Sequence, residues 1–72
     1  MTLYKVQMPL AIHQQLESKP ELVFFDQDKA INSLKTVFCD NAFDFNITND
    51  GTTIRFLNNS GWEIASIFSV QH

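Results

Sequence analysis

The chain contains only two glycines, Gly51 and Gly61, and each stands at a turn signal between runs of alternating polarity. Asp50-Gly51 is among the strongest two-residue hairpin signals, because the central positions of such a loop require positive φ. Before it, Phe43, Phe45 and Ile47 alternate with Asp44, Asn46 and Thr48; after it, Ile54 and Phe56 alternate with Thr53, Arg55 and Leu57. Alternation of period two marks a strand with one buried face. A tip at Asp50-Gly51 sets Ile47 opposite Ile54 and Phe45 opposite Phe56.

The second turn, Asn58-Asn59-Ser60-Gly61, is fixed by the same logic. An even loop would pair Phe56 with Glu63 and put the apolar faces out of phase. A three-residue loop, Asn59-Ser60-Gly61 with Gly61 left-handed, pairs Phe56 with Ile64 and keeps them in phase. A three-stranded antiparallel meander follows, with Phe43, Phe45, Ile47, Ile54, Phe56, Trp62, Ile64, Phe68 and Val70 expected on its buried face. Its other face is expected to carry three rows: Asp44, Leu57, Glu63; Asn46, Arg55, Ala65; and Thr48, Thr53, Ile67. The last strand, ending in Gln71 and His72, has few guarding charges and is expected at an open edge, where strand addition or self-association occurs.

Upstream, residues 3–8 alternate, with Tyr4, Val6 and Met8 on one side and Leu3, Lys5 and Gln7 on the other. Pro9 suits a first helical turn. Met8, Ile12 and Leu16 then recur at spacing four, and Lys19-Pro20 closes this short helix. Leu22 to Phe25 is an unbroken apolar run, readable as a strand covered on both faces. From Ala30 the period becomes helical: Ala30, Ile31, Leu34, Val37 and Phe38 form one stripe, and Asp40-Asn41 ends it. The expected fold class is α+β: a small two-layer domain with two helices on one face of an antiparallel sheet that contains the C-terminal meander. The order is β-α-(β)-α-β-β-β, within a single compact domain over residues 1–72.

The chain has 72 residues, 44% of them hydrophobic, with seven phenylalanines to fill a small core. Its net charge of −3, with five dispersed basic residues, disfavours binding to nucleic-acid phosphates. Cys39 is the only cysteine, which suits a reducing compartment. The start lacks a signal-peptide pattern and no apolar run approaches the ~20 residues of a membrane span. The expectation is a soluble, cytoplasmic protein without membrane contact.

One stretch suggests chemistry. Leu22-Val23-Phe24-Phe25-Asp26-Gln27-Asp28 resembles the first motif of haloacid-dehalogenase-type phosphotransferases over these seven residues. The resemblance implies Asp26 as nucleophile, Asp28 as acid and base, and magnesium on the phosphate. The family usually has threonine two residues after the second aspartate; here that position is Ala30, part of the helix stripe. The family also draws a hydroxyl, a lysine and further carboxylates from a sheet twice this size. The residues themselves read as a helix start: Asp26 is a preferred N-cap, and Asp28 faces the positive end of the helix dipole.

Cys39 and His13 could form a nucleophile and base, but Cys39 beside Phe38 reads as a buried small hydrophobe and His13 as solvated. With His72 they match no zinc pattern. No catalytic residue, cofactor or metal is expected. The reading is a non-catalytic protein-binding module acting by stoichiometric contact: a small inhibitor, adaptor or accessory subunit, by analogy of size and charge of bacterial or phage origin. Its candidate surface is Asp44, Asn46, Arg55, Leu57, Glu63, Ala65 and Ile67, where apolar area is mixed with polar groups around Arg55. The partner would be another protein or a second copy. An alternative is a nucleic-acid-associated regulator, dimerised so that Lys5, Lys19, Lys29 and Lys35 converge; a minor one is a magnesium-dependent phosphotransferase using Asp26 and Asp28.

Overall fold

The computed structural model describes residues 1–71, so His72 lies outside the described residues. In chain order the elements are β1 (Thr2–Gln7), α1 (Leu10–Gln15), β2 (Val23–Phe24), α2 (Gln27–Asp40), β3 (Asn46–Asp50), β4 (Thr53–Leu57) and β5 (Glu63–Gln71). The strands form one five-stranded antiparallel sheet in the order β2-β1-β5-β4-β3. The fold class read from the sequence is the one observed.

The helices form where the stripes place them. Asp26 caps α2: its carboxylate accepts from the amides of Asp28 at 2.9 Å and Lys29 at 3.4 Å. Ala30, Leu34, Val37 and Phe38 of α2 are buried, and Ile31 packs beside them. Of the Met8, Ile12, Leu16 stripe only Ile12 lies within α1; Met8 precedes the helix and Leu16 caps its end, and all three pack on the core, with Leu16 only 2% exposed. This helix ends at Leu16, before Pro20, and the Lys19 ammonium donates to the carbonyls of His13 and Leu16. Those carbonyls belong to the last turn, where helical amides run out; the His13 carbonyl also accepts from the Leu16 amide at 3.3 Å.

The core sits between α2 and one face of the sheet. Phe38 lies at its centre, its ring centroid 5.7 Å from those of Phe43 and Phe56 and 6.0 Å from that of Phe45. Val6, Ile54, Phe56, Ile64, Ala65 and Ile67 complete the buried layer.

Four expectations are corrected. The first hairpin closes one residue later: Asp50 pairs with Thr53, so Gly51-Thr52 is the loop, Ile47 faces Phe56 and Asn49 faces Ile54. Gly51 alone in this loop has positive φ, +71°, as in a type II′ turn with glycine first. The register moves by two residues, so the faces of β3 are unchanged.

The second correction lies in β5. The Asn59-Ser60-Gly61 loop forms as expected: Gly61 has φ +85°, its amide donates to the Asn58 carbonyl at 3.0 Å, and Asn58 donates to Trp62 at 2.9 Å. Then Leu57 pairs with Glu63 but Phe56 pairs with Ala65, so Ile64 is an extra residue. A β-bulge of this kind changes the parity of everything after it. Ile64 and Ala65 both bury, Ile67 stays inside at 1% exposure, and Phe68 and Val70 turn to the opposite face. Trp62, expected in the core, sits in the turn before β5 and is 73% exposed.

Third, β5 is the central strand of the sheet, between β1 and β4, and not an edge. Fourth, Leu22 to Phe25 supplies a two-residue edge strand covered on one face. Phe24 points inward opposite Tyr4, whereas Leu22, Val23 and Phe25 are exposed.

Candidate protein-binding face

Both helices bury their apolar stripes against the same side of the sheet, and the other side faces outward. Its composition follows from the register. One row crosses all five strands as Val23, Lys5, Phe68, Thr53 and Asp50. A second runs Gln7, Ser66, Arg55 and Thr48. Leu3 and Val70 pair beyond the first row, and Leu57 lies between Asn46 and Glu63 beyond the second.

Arg55 stands near the middle of this face. Its guanidinium reaches Glu63 Oε1 at 3.3 Å and Asp50 Oδ2 at 3.6 Å. These groups are exposed, and such pairs contribute at most about 1 kcal/mol each. Their main effect is to tether the Arg55 guanidinium between Asp50 of β3 and Glu63 of β5. Beside it Ser66, a small residue among large ones, is only 7% exposed. Gln7, Thr53, Arg55, Glu63, Ser66 and Phe68 thereby line a shallow depression. Leu3, Leu57, Phe68 and Val70 are half-buried around it, so apolar area surrounds a polar, charged centre.

Of the surface residues expected from the sequence, Asn46, Arg55, Leu57 and Glu63 lie together on this face. Asp44 is exposed just before β3, where its carboxylate accepts from Asn59 Nδ2 at 3.3 Å. Ala65 and Ile67 do not belong to the face; they are 0% and 1% exposed in the core. The extra residue Ile64 is the cause, because it exchanges the two faces of β5 from Ala65 onward. Ser66, Phe68 and Val70 take the outward positions instead. Leu3, Lys5 and Gln7 were legible as one side of an alternating strand. Their junction with the meander was not, since nothing local to residues 2–7 names β5 as the neighbour.

The other candidates separate in space. Asp26 is engaged as the cap of α2 and Asp28 lies in its first turn. Cys39, expected to be buried, is exposed. It stands nine positions after Ala30, a half-turn away at about 100° per residue, and so on the side of α2 opposite the core stripe. His13 lines an apolar depression with Val6, Met8, Leu10 and Leu22 at the end of β1. Among the described residues no group of three histidine, cysteine or carboxylate side chains is placed to hold a metal ion. No helix among them is long and apolar enough to cross a membrane. No known protein family, curated protein or solved structure matches the chain.

Proposed function

We propose that this chain is a non-catalytic protein-binding module that acts by stoichiometric contact through the open face of its sheet. The observation that carries the reading is the arrangement around Arg55: a charged side chain held between two carboxylates, above a shallow depression, inside a ring of half-buried Leu3, Leu57, Phe68 and Val70. Interfaces favour this mixture, with arginine and aromatic residues near the centre and polar groups at the rim. A sheet face that only met water would have no use for Leu3, Phe68 and Val70 in adjoining positions, with Leu57 across the depression from them. An inhibitor, adaptor or accessory subunit of bacterial or phage origin is the kind of protein such a module fits, and its setting would be the cytoplasm.

Regulation through nucleic acid has less support. Lys5 lies on the open face, Lys29 and Lys35 are exposed residues of α2, and Lys19 is engaged at the end of α1. These cations point to different sides of the molecule.

The test is capture of partners from the native cell by the immobilised protein, read by mass spectrometry. Arg55→Ala, Leu57→Ser and Val70→Ser should each reduce recovery of the same partner while a cooperative thermal transition is retained. Recovery should depend weakly on salt, because apolar contact does, whereas phosphate binding falls steeply. Unchanged recovery in all three variants would remove the open face from the account.

A further inference from the structure

The sheet has two outer strands, and only one of them is a template for another chain. β2 pairs through two residues and then turns into the cap of α2. β3 is five residues long, regular, and exposed along its whole length. Its two-residue loop makes Asp50 and Thr53 the closing hydrogen-bonded pair, so Thr48 and Asn46 also exchange bonds with β4. By the same alternation Ile47 and Asn49 turn their amides and carbonyls to the free side. Among the described residues no backbone bond outside the ladders reaches either of them. Edges are ordinarily guarded by lysine, proline or a bulge; Asn46-Ile47-Thr48-Asn49-Asp50 has neither residue, and the bulge of this sheet lies in β5.

Charge says what fits there. Residues 1–39 hold four lysines and four carboxylates and are neutral; residues 40–72 hold Asp40, Asp44, Asp50 and Glu63 against Arg55 alone, a balance of −3 that equals that of the whole chain. Arg55 is committed to Asp50 and Glu63. The segment that leads into and forms β3 therefore has an acidic margin. On the core side of the edge, Ile47 is 38% exposed opposite Phe56 and offers an apolar contact. A second copy fits poorly: the pairing that sets Ile47 on its own equivalent also sets Asp44 opposite Asp50 of the copy, and like charges directly opposite are destabilising.

We propose that the free edge of β3 receives an extended, basic segment of a partner protein as a sixth strand. Main-chain bonds to Ile47 and Asn49 would supply affinity, and alternate side chains would supply specificity: an apolar residue beside Ile47, and lysine or arginine toward Asp44 and Asp50. The inference rests on the reading of this chain as a protein-binding module but uses the edge of the sheet, not its face.

The probe is a fluorescent seven-residue peptide of alternating lysine and valine, titrated by anisotropy and by amide hydrogen exchange. Saturable binding is expected, with exchange at the Ile47 and Asn49 amides slowed about tenfold or more as they become bonded. A peptide with glutamate for lysine should bind at least about tenfold more weakly. Asn49→Pro and Ile47→Pro each delete an outward donor and spare the ladder to β4, a position where proline is tolerated. Either variant that keeps its thermal transition should bind the lysine peptide at least about tenfold more weakly. Val70→Ser, across the face, should bind it normally, so the edge and the face stand or fall separately. Unslowed exchange at Ile47 and Asn49, or full binding by a folded proline variant, would overturn the proposal. So would concentration-dependent dimerisation that Asn49→Pro abolishes, which would give the edge to a second copy.

Discussion

Phe38 and Phe43 are joined twice, once through the backbone and once through their rings. The Phe43 amide donates to the Phe38 carbonyl at 2.8 Å, and the rings meet edge to face with centroids 5.7 Å apart. Between them the Ala42 amide donates to the Cys39 carbonyl at 3.2 Å, and Ala42 itself is left-handed, with φ +60°. This is a Schellman closure of α2 with its hydrophobic contact in place. It aims the chain from the helix directly into the aromatic core, from which β3 starts.

Ala42→Gly follows from that geometry. Alanine in the left-handed region costs roughly 1–2 kcal/mol, which glycine avoids at some cost in chain entropy. The variant should be more stable by about 0.5–1 kcal/mol, a rise in Tm of several degrees for a domain this size. Thermal denaturation followed by circular dichroism checks it, and a lower Tm would contradict the closure.

Asp26 separates a structural role from a catalytic one. Asp26→Ala should cost about 1 kcal/mol, and Asp26→Asn almost nothing, since asparagine caps as well as aspartate does. Denaturant titration measures both. An asparagine variant as unstable as the alanine variant would show that the carboxylate does more than accept from Asp28 and Lys29.

Ile64 is the extra residue of the β5 bulge. Deleting it should leave a regular ladder with the same pairs, Phe56 with Ala65 and Ile54 with Ile67, because Ala65 takes the inward place next to Glu63. The cost should be about 2–5 kcal/mol, for one lost buried side chain. Ile64→Val, which keeps the bulge, should cost only about 0.5–1.5 kcal/mol. A deletion variant in which Ser66 and Phe68, and not Ala65 and Ile67, turn to the core would contradict the register.

Cys39 should react with a thiol reagent in the native protein at close to the rate of the unfolded chain. It is exposed on the side of α2 away from the core. A rate that rises strongly only on addition of denaturant would place the thiol inside.

Local signals made much of this legible in the sequence. The cap at Asp26, the Ala30 to Phe38 stripe and the Gly61 loop each rest on a few adjacent residues, and each is observed. The tip at Gly51 lies one residue from its expected place, because Asp50-Gly51 and Gly51-Thr52 both accept a positive φ at glycine. The bulge at Ile64 left no such mark. Glu63-Ile64-Ala65-Ser66-Ile67-Phe68 has apolar residues available to either parity, and only packing against Phe56 and Ile54 decides between them. Half of the open face was hidden for a related reason: β1 joins β5 across nearly the whole length of the chain, and pairing at that separation has no local signature.

The central claim, contact through the open face, is tested most directly by methyl-labelled NMR with the captured partner. Methyl groups of Leu3, Val23, Leu57 and Val70 should shift or broaden on addition of one equivalent. Those of Leu34, Val37, Ile54 and Ile67, beneath the other side of the sheet, should hold their positions. Perturbations confined to Leu10, Leu22 and the surroundings of His13, with the open-face methyls unmoved, would contradict the account.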